Sequence, residues 1–216
     1  MDTRELERIV KERRSIRRWK KEEVPDDLVR KAIELATWTP NGGNYQGWRF
    51  VAVKNRNVIT KMANAVQSVV DLMASWPEAK AWLEDVRRYQ ENASFFRNAS
   101  VCIGVFITEY QSVADKLLNA RLPMDQKARE ILASRKSAPT GIQSAAAAVA
   151  TMLLVFHQMG LGAVWLAAPV MAKKEIENIL KVPGGMNLIC LVAVGYSDEF
   201  PQVDRRPVDD VLEFVG

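Results

Sequence analysis

Apolar positions along the chain follow two spacings. Leu6, Ile9 and Val10 share one face at helical spacing, which predicts a helix over 3–11. Leu28, Val29, Ala32, Ile33 and Ala36 repeat in the same way behind Asp26 and Asp27, either of which can cap. This second helix ends at Pro40, because a proline pushes the residue before it, Thr39, out of helical geometry. Four short apolar runs predict buried strands: "WRFVAV" (48–53), "SVCIGVFI" (100–107), "AVWLAA" (163–168) and "NLICLVAVG" (187–195). Helical patterns also cover 57–75, 78–92, 111–136 and 173–182. The stretch "IQSAAAAVATMLLVFHQMGLG" (142–162) reads as a long buried helix, alanine-rich for close packing and stopped at Gly160. Strands separated by helices, with no repeat, linker or composition break, predict one α+β domain spanning 1–216.

Composition narrows the classes. The 216 residues are 48% hydrophobic and 26% charged, enough for a sizeable core. No uninterrupted apolar run reaches the length of a membrane helix, and the charged start lacks the apolar region of a signal peptide, so a cytoplasmic protein is expected. Cys102 and Cys190 lie in apolar runs and are expected to be buried and reduced. One histidine, His157, excludes a multi-histidine metal centre and reads as a packing residue or a partner for a helix C-terminus. The net charge of +4 favours anionic partners. A nucleic-acid-binding role is disfavoured, because no helix-turn-helix signature, zinc ligand set or interleaved basic-aromatic strand accompanies the charge.

Two segments carry candidate chemistry. In "ERRSIRRW" (12–19), Arg13, Arg14, Arg17 and Arg18 crowd around Ser15. Guanidinium forks match phosphate oxygens bidentately and a hydroxyl adds a neutral donor, although such a run also serves as a solvated basic strip. Arg205 and Arg206 form a second basic pair in an irregular tail. The loop "PNGGNYQG" (40–47) has glycines that admit close approach and amides at Asn44 and Gln46 that can both donate and accept, as a heterocycle requires. The same composition also suits a plain turn. Trp76 and Trp82 read as local core or subunit contacts, Met152, Met159 and Met171 as core filler, and Trp48 and Phe50 as packing residues.

The order R-R-S-I-R, then P-N-G-G-N-Y-Q-G-W-R-F, then M-G-L-G-A-V-W, then V-G-Y-S-D-E-F-P followed by R-P resembles the nitroreductase family of FMN-dependent flavoproteins. The resemblance implies a central mixed sheet flanked by helices, with the C-terminal tail reaching a homodimer partner. It implies FMN as cofactor, with its phosphate and ribityl chain held by Arg13, Arg14, Ser15, Arg17 and Arg205, or Arg206 should the tail be shifted by one residue. Pro40, Asn41, Gly42, Asn44 and Gln46 would line the ring, in part from the partner subunit. Trp165, Leu166, Ala167 and Ala168 would lie beside flavin N5, offering backbone donors. NADH or NADPH would supply hydride and a nitroaromatic, quinone or similar small molecule would accept electrons by a ping-pong mechanism. Same-fold alternatives are flavin cleavage, reductive dehalogenation, heterocycle oxidation or flavin binding without turnover. The chain departs from the family pattern at Ala150 and Thr151, where many members carry Gln-Asn, and at Ala167 and Ala168, where some carry Glu-Gly. No membrane or nucleic-acid partner is implied.

Overall fold

The computed structural model describes residues 3–216. Strand β2 (Val101–Thr108) takes a central place, six of its eight residues buried. It pairs antiparallel with β1 (Trp48–Val53) on one side and β4 (Met186–Gly195) on the other. β3 (Gly162–Leu166) pairs antiparallel with β4, giving the order β1-β2-β4-β3. Among the described residues, the parallel component expected of a mixed sheet is one bridge, between Ser15 and Ala163.

Helices cover both faces. On one side α7 (Thr140–Gln158) and α2 (Asp26–Ala36) bury Ala145, Ala148, Val149, Met152 and Phe156 together with Val29, Ala32 and Ala36. The alanines allow α2 and α7 to approach closely, as their spacing suggested. On the other side α3 (Arg56–Ala74) and α8 (Lys173–Leu180) bury Ile59, Met62, Val66 and Ile176. α1 (Thr3–Glu12) lies against α7. α7 ends as expected: Gly160 adopts φ 78° and Leu161 N–H donates to the Phe156 carbonyl at 2.9 Å. An 18-residue window within Gln126–Gln158 reaches a mean hydropathy of 1.5, enough by length and composition for a bilayer. Its apolar part is α7, whose inner face belongs to the core. Cys102 and Cys190 are free and buried; burial pushes the Cys190 thiol up to about 12, so it is unreactive at neutral pH.

Several boundaries differ from expectation. Residues 111–136 form two helices, α5 (Val113–Arg121) and α6 (Gln126–Lys136), because the chain turns at Pro123 and Asp125 caps α6 through the N–H groups of Lys127 and Ala128. The stretch 78–92 starts as a 3-10 turn over Pro77–Trp82 before α4 (Leu83–Asn92). β3 stops at Leu166, so Ala167 and Ala168 leave the strand and enter a turn with Pro169. Trp76 and Trp82 are 50% and 62% exposed, so they are not local core. Met152 is fully buried, whereas Met171 is exposed. Trp48 and Phe50 pack against the core, as expected.

Candidate functional site

The arginine segment lies across the open edge of the sheet. Ile16 N–H donates to the Ala163 carbonyl at 3.2 Å, Trp19 Nε1 to the Gly162 carbonyl at 2.9 Å, and Lys20 N–H to the Tyr196 carbonyl at 2.9 Å. Two glycines make this approach possible. A Cβ on Gly162 would lie 2.8 Å from Ile16 Cγ1, and one on Gly195 would lie 2.7 Å from Trp19 Cδ1.

Pinned this way, the basic groups converge. Arg13 is lowered from its ordinary value first by burial, then by the nearby charges of Arg205 and Arg14. The charges of Arg14 and of Arg205 in the tail are thus both within electrostatic reach of Arg13. Arg13 NH1 and Arg14 Nε are buried with no hydrogen-bond partner. A buried unsatisfied donor costs about 1–3 kcal/mol, more when charged. Repulsion and unmet donors on adjacent arginines are both relieved by an anion with several oxygens, which is the donor set a phosphate monoester requires. Ser15 stands in the same segment, and Arg17 is exposed with NH1 3.4 Å from the Ser15 carbonyl. Arg206 is exposed.

Glu199 organises this segment and was not singled out in the sequence, although "GYSDEFP" contains it. Its carboxylate accepts from the backbone N–H groups of Arg17 and Arg18 and from Arg18 Nε at 3.1 Å. Burial raises the carboxyl, but these donors outweigh it and hold the group below its ordinary value. A depressed folded-state value means the clamp contributes above the unfolded carboxyl's value, about 4.3, and is lost as pH falls through the lower folded value. Glu199→Gln is therefore expected to lower the thermal midpoint at pH 7 by a few degrees, about 1 kcal/mol, and to change little at the acid end. Thermal melts across pH 3–7 check this; equal losses at both ends would contradict it.

The loop at 40–47 is built differently. Gly43, Asn44 and Gln46 have φ of 60°, 51° and 52°. Two of these are not glycine, so the backbone is held in a conformation that costs about 1 kcal/mol or more per residue. The loop's own amides hold it: Asn41 Oδ1 accepts from Gln46 N–H at 3.0 Å, and Gln46 Nε2 donates to Asn44 Oδ1 at 3.2 Å. Gly42 N–H donates to Ser144 Oγ at 3.2 Å, anchoring the loop to the first turns of α7. Pro40 is exposed. Thr151, at one departure from the family pattern, bonds Thr39 just before the loop at 3.0 Å, so that position supports the loop.

Helix α7 measures how far apart these parts lie. Its N-terminal end touches the loop at Ser144, and its C-terminal end carries His157, which burial lowers, Glu12 raises, and Arg13, Arg8 and Arg14 lower again. Thirteen residues of helix separate the two, about 20 Å. The loop also feeds β1, three strands from β3 and so about 14 Å across the sheet. The outer edge of β3, by contrast, starts at the arginines. Ala163 uses its outward carbonyl for Ile16, so Trp165, two residues on, presents its own N–H and carbonyl to the same edge. Ala163 to Leu166 is about 10 Å of strand. Ala167 and Ala168, both exposed, follow directly.

A family model described as "Nitroreductase family" matches residues 10–196. An iodotyrosine deiodinase of Thermotoga neapolitana is 26% identical over 93% of both chains. An NADH dehydrogenase of Thermus thermophilus is 28% identical over 93% of this chain and 91% of its own. Among solved structures, a BluB-like flavoprotein from Clostridium difficile 630 superposes with a TM-score of 0.86 at 26% identity, covering 98% of this chain and 99% of its own. A nitroreductase with bound FMN from Desulfitobacterium hafniense superposes with a TM-score of 0.72 at 20% identity, covering 98% of both chains.

Proposed function

The chain belongs to the nitroreductase family and is an oxidoreductase of that fold, and we propose that it binds FMN in a site completed by a second copy of itself. The two buried, unpaired guanidinium nitrogens of Arg13 and Arg14, with Arg205 beside them, carry this reading. Arg13, Arg14, Ser15, Arg17 and Arg205 hold the phosphate end. Trp165 to Ala168 lie along the ring and offer backbone donors to it. Pro40, Asn41, Gly42, Asn44 and Gln46 reach the ring from the partner, since within their own chain they sit by the N-terminal turns of α7 and at the opposite edge of the sheet from β3 and the arginines. When bound, the cofactor supplies two-electron transfer between a reduced nicotinamide and a second substrate. The chain's residues orient the ring, exclude water from its face and stabilise negative charge near its pyrimidine end.

Among the described residues, no strand lies beside the outer edge of β1. The tail offers exposed apolar side chains at Val208, Val211, Leu212, Phe214 and Val215. A tail laid on the partner covers both, and it pulls Arg205 to the phosphate on the way. The two buried, reduced cysteines suit a cytoplasmic setting.

FMN-loaded protein is expected to bleach with NADH or NADPH and to recover its full visible spectrum when a quinone or nitroaromatic is added. Bleaching followed by incomplete recovery, with flavin fragments in the filtrate, would instead assign the flavin-cleaving alternative. Absence of FMN binding would overturn the reading.

A further inference from the structure

Beside the loop at 40–47 lies a cavity of about 900 Å³ between the α5–α6 hairpin and the body of the protein. Its floor comes from the ends of β2 and β4 and the start of α7, and it shares Ile107, Thr108, Tyr110, Thr140 and Gly141 with the loop's own cleft. The hairpin stands over it as a unit. α5 buries no residue, and α5 and α6 pack chiefly on each other. They are tied by Arg135, whose guanidinium donates to Asp115 at 2.8 and 3.1 Å and to Ser112 Oγ at 3.1 Å.

The charges on the cavity wall are unequal. Three cations line it, and with Arg135 paired to Asp115 the remaining two are Lys136 and Lys173. Of the two acids, Asp115 is spent, since it also accepts from Ser112 N–H and Oγ and is held far below the ordinary carboxylate range, first by Arg135 and then by Ser112. The other, Glu109, is solvent-exposed, as is Lys136, and sets one negative charge against the two lysines. Lys173 is held by Asn187 Oδ1 at 2.5 Å, a neutral partner, with Glu177 only at 3.9 Å. Lys136 ends α6, where it complements that helix's terminus, but Lys173 comes from α8, whose terminus it does not serve. Apolar side chains of Ile107, Leu132, Ile142 and Ile189 make up the rest of the wall.

We propose that this cavity, resting on the composite flavin site argued above, is the acceptor subsite for the partner's flavin, and that it selects a flat acceptor carrying a carboxylate. Lys136 and Lys173 take the carboxylate, and the apolar wall takes the ring. The loop at 40–47 brings both to the flavin it lines. For a nitroaromatic acceptor the balance is R–NO2 + NAD(P)H + H+ → R–NO + NAD(P)+ + H2O, two electrons and two protons, with the nicotinamide as reductant and the carboxylate unchanged.

The test compares 4-nitrobenzoate with 4-nitrobenzamide, which has the same ring and reacting group but no charge, on the FMN-loaded protein with saturating nicotinamide. Wild type is expected to favour the benzoate by about 10-fold in kcat/KM, the value of one charge-assisted bond. The preference is expected to shrink at 1 M salt, as an exposed charge contact must. In Lys136→Gln and Lys173→Gln the ratio should fall toward one, with FMN absorbance verifying that each variant retains its cofactor. Equal rates for the two acceptors in wild type would overturn the inference and leave the flavin reading intact. A ratio unmoved by either substitution would overturn it too. A protein that binds no FMN would overturn the flavin reading, and the inference with it.

Discussion

Replacing both Arg13 and Arg14 by glutamine should weaken FMN binding by on the order of 100-fold or more and leave riboflavin binding nearly unchanged. Each charge-assisted bond is worth about 1.5–3 kcal/mol, and riboflavin lacks the phosphate that receives them. The apoprotein supplies a second signature. Arg13 is half-buried and feels the charges of Arg14 and Arg205, so the wild-type apoprotein carries like-charge repulsion and two unsatisfied donors, Arg13 NH1 and Arg14 Nε. Removing them should leave the melting temperature of the apoprotein equal or higher, the exchange of stability for function common at binding sites. Titration calorimetry with both ligands and a thermal melt without ligand check the pair of effects. Equal weakening of FMN and riboflavin, or a large loss of apoprotein stability, would mean these arginines serve the fold instead.

The tail should have the next largest effect. Deleting 208–216 removes Val208, Val211, Leu212, Phe214 and Val215, of which Phe214 and Val215 are 88% and 90% exposed in the isolated chain. Each such side chain buried on a partner contributes about 1.5–3 kcal/mol. The truncated protein is expected to dissociate at micromolar concentrations, and FMN occupancy should fall with dilution, as mass action requires. The folding of the monomer should be unaffected, because these residues contribute nothing to its core. Sedimentation and flavin absorbance over a dilution series measure both. A truncated monomer that keeps its full FMN would contradict the shared site.

How much of this was legible depended on whether the signal was local. β2 and β4 could be read directly, because an uninterrupted apolar run buried on both faces has few other homes. α7 could be read because alanine spacing and Gly160 mark its packing and its end, although it starts two residues before the predicted stretch. The arginines and the loop were legible as chemistry, from residue types at short spacing. Glu199 was not, since its partners at Arg17 and Arg18 are more than 180 positions away and nothing local distinguishes it from a surface acid. The break between α5 and α6 was written in Pro123 but is masked by helical spacing on either side. Trp76 and Trp82 were read as local core or subunit contacts, and their exposure removes the first of these, because aromatic content says nothing about which face is covered. "VLEFV" has β propensity but forms no strand in the single chain, because a strand needs an edge to pair with and the chain's own sheet lies elsewhere.

The central claim is that each FMN site draws its arginines from one protomer and its loop from the other. Complementation tests it most directly. One variant carries Arg13→Gln and Arg14→Gln; the other carries Asn41→Ala, Asn44→Ala and Gln46→Ala. Each alone should lack FMN, because every site in either homodimer is missing one half. Mixed and allowed to exchange subunits, they should form heterodimers with one intact site, and flavin absorbance should return at one FMN per heterodimer. If flavin stays absent after exchange has been verified by mass, arginines and loop serve the same flavin within one chain, and the composite site is wrong.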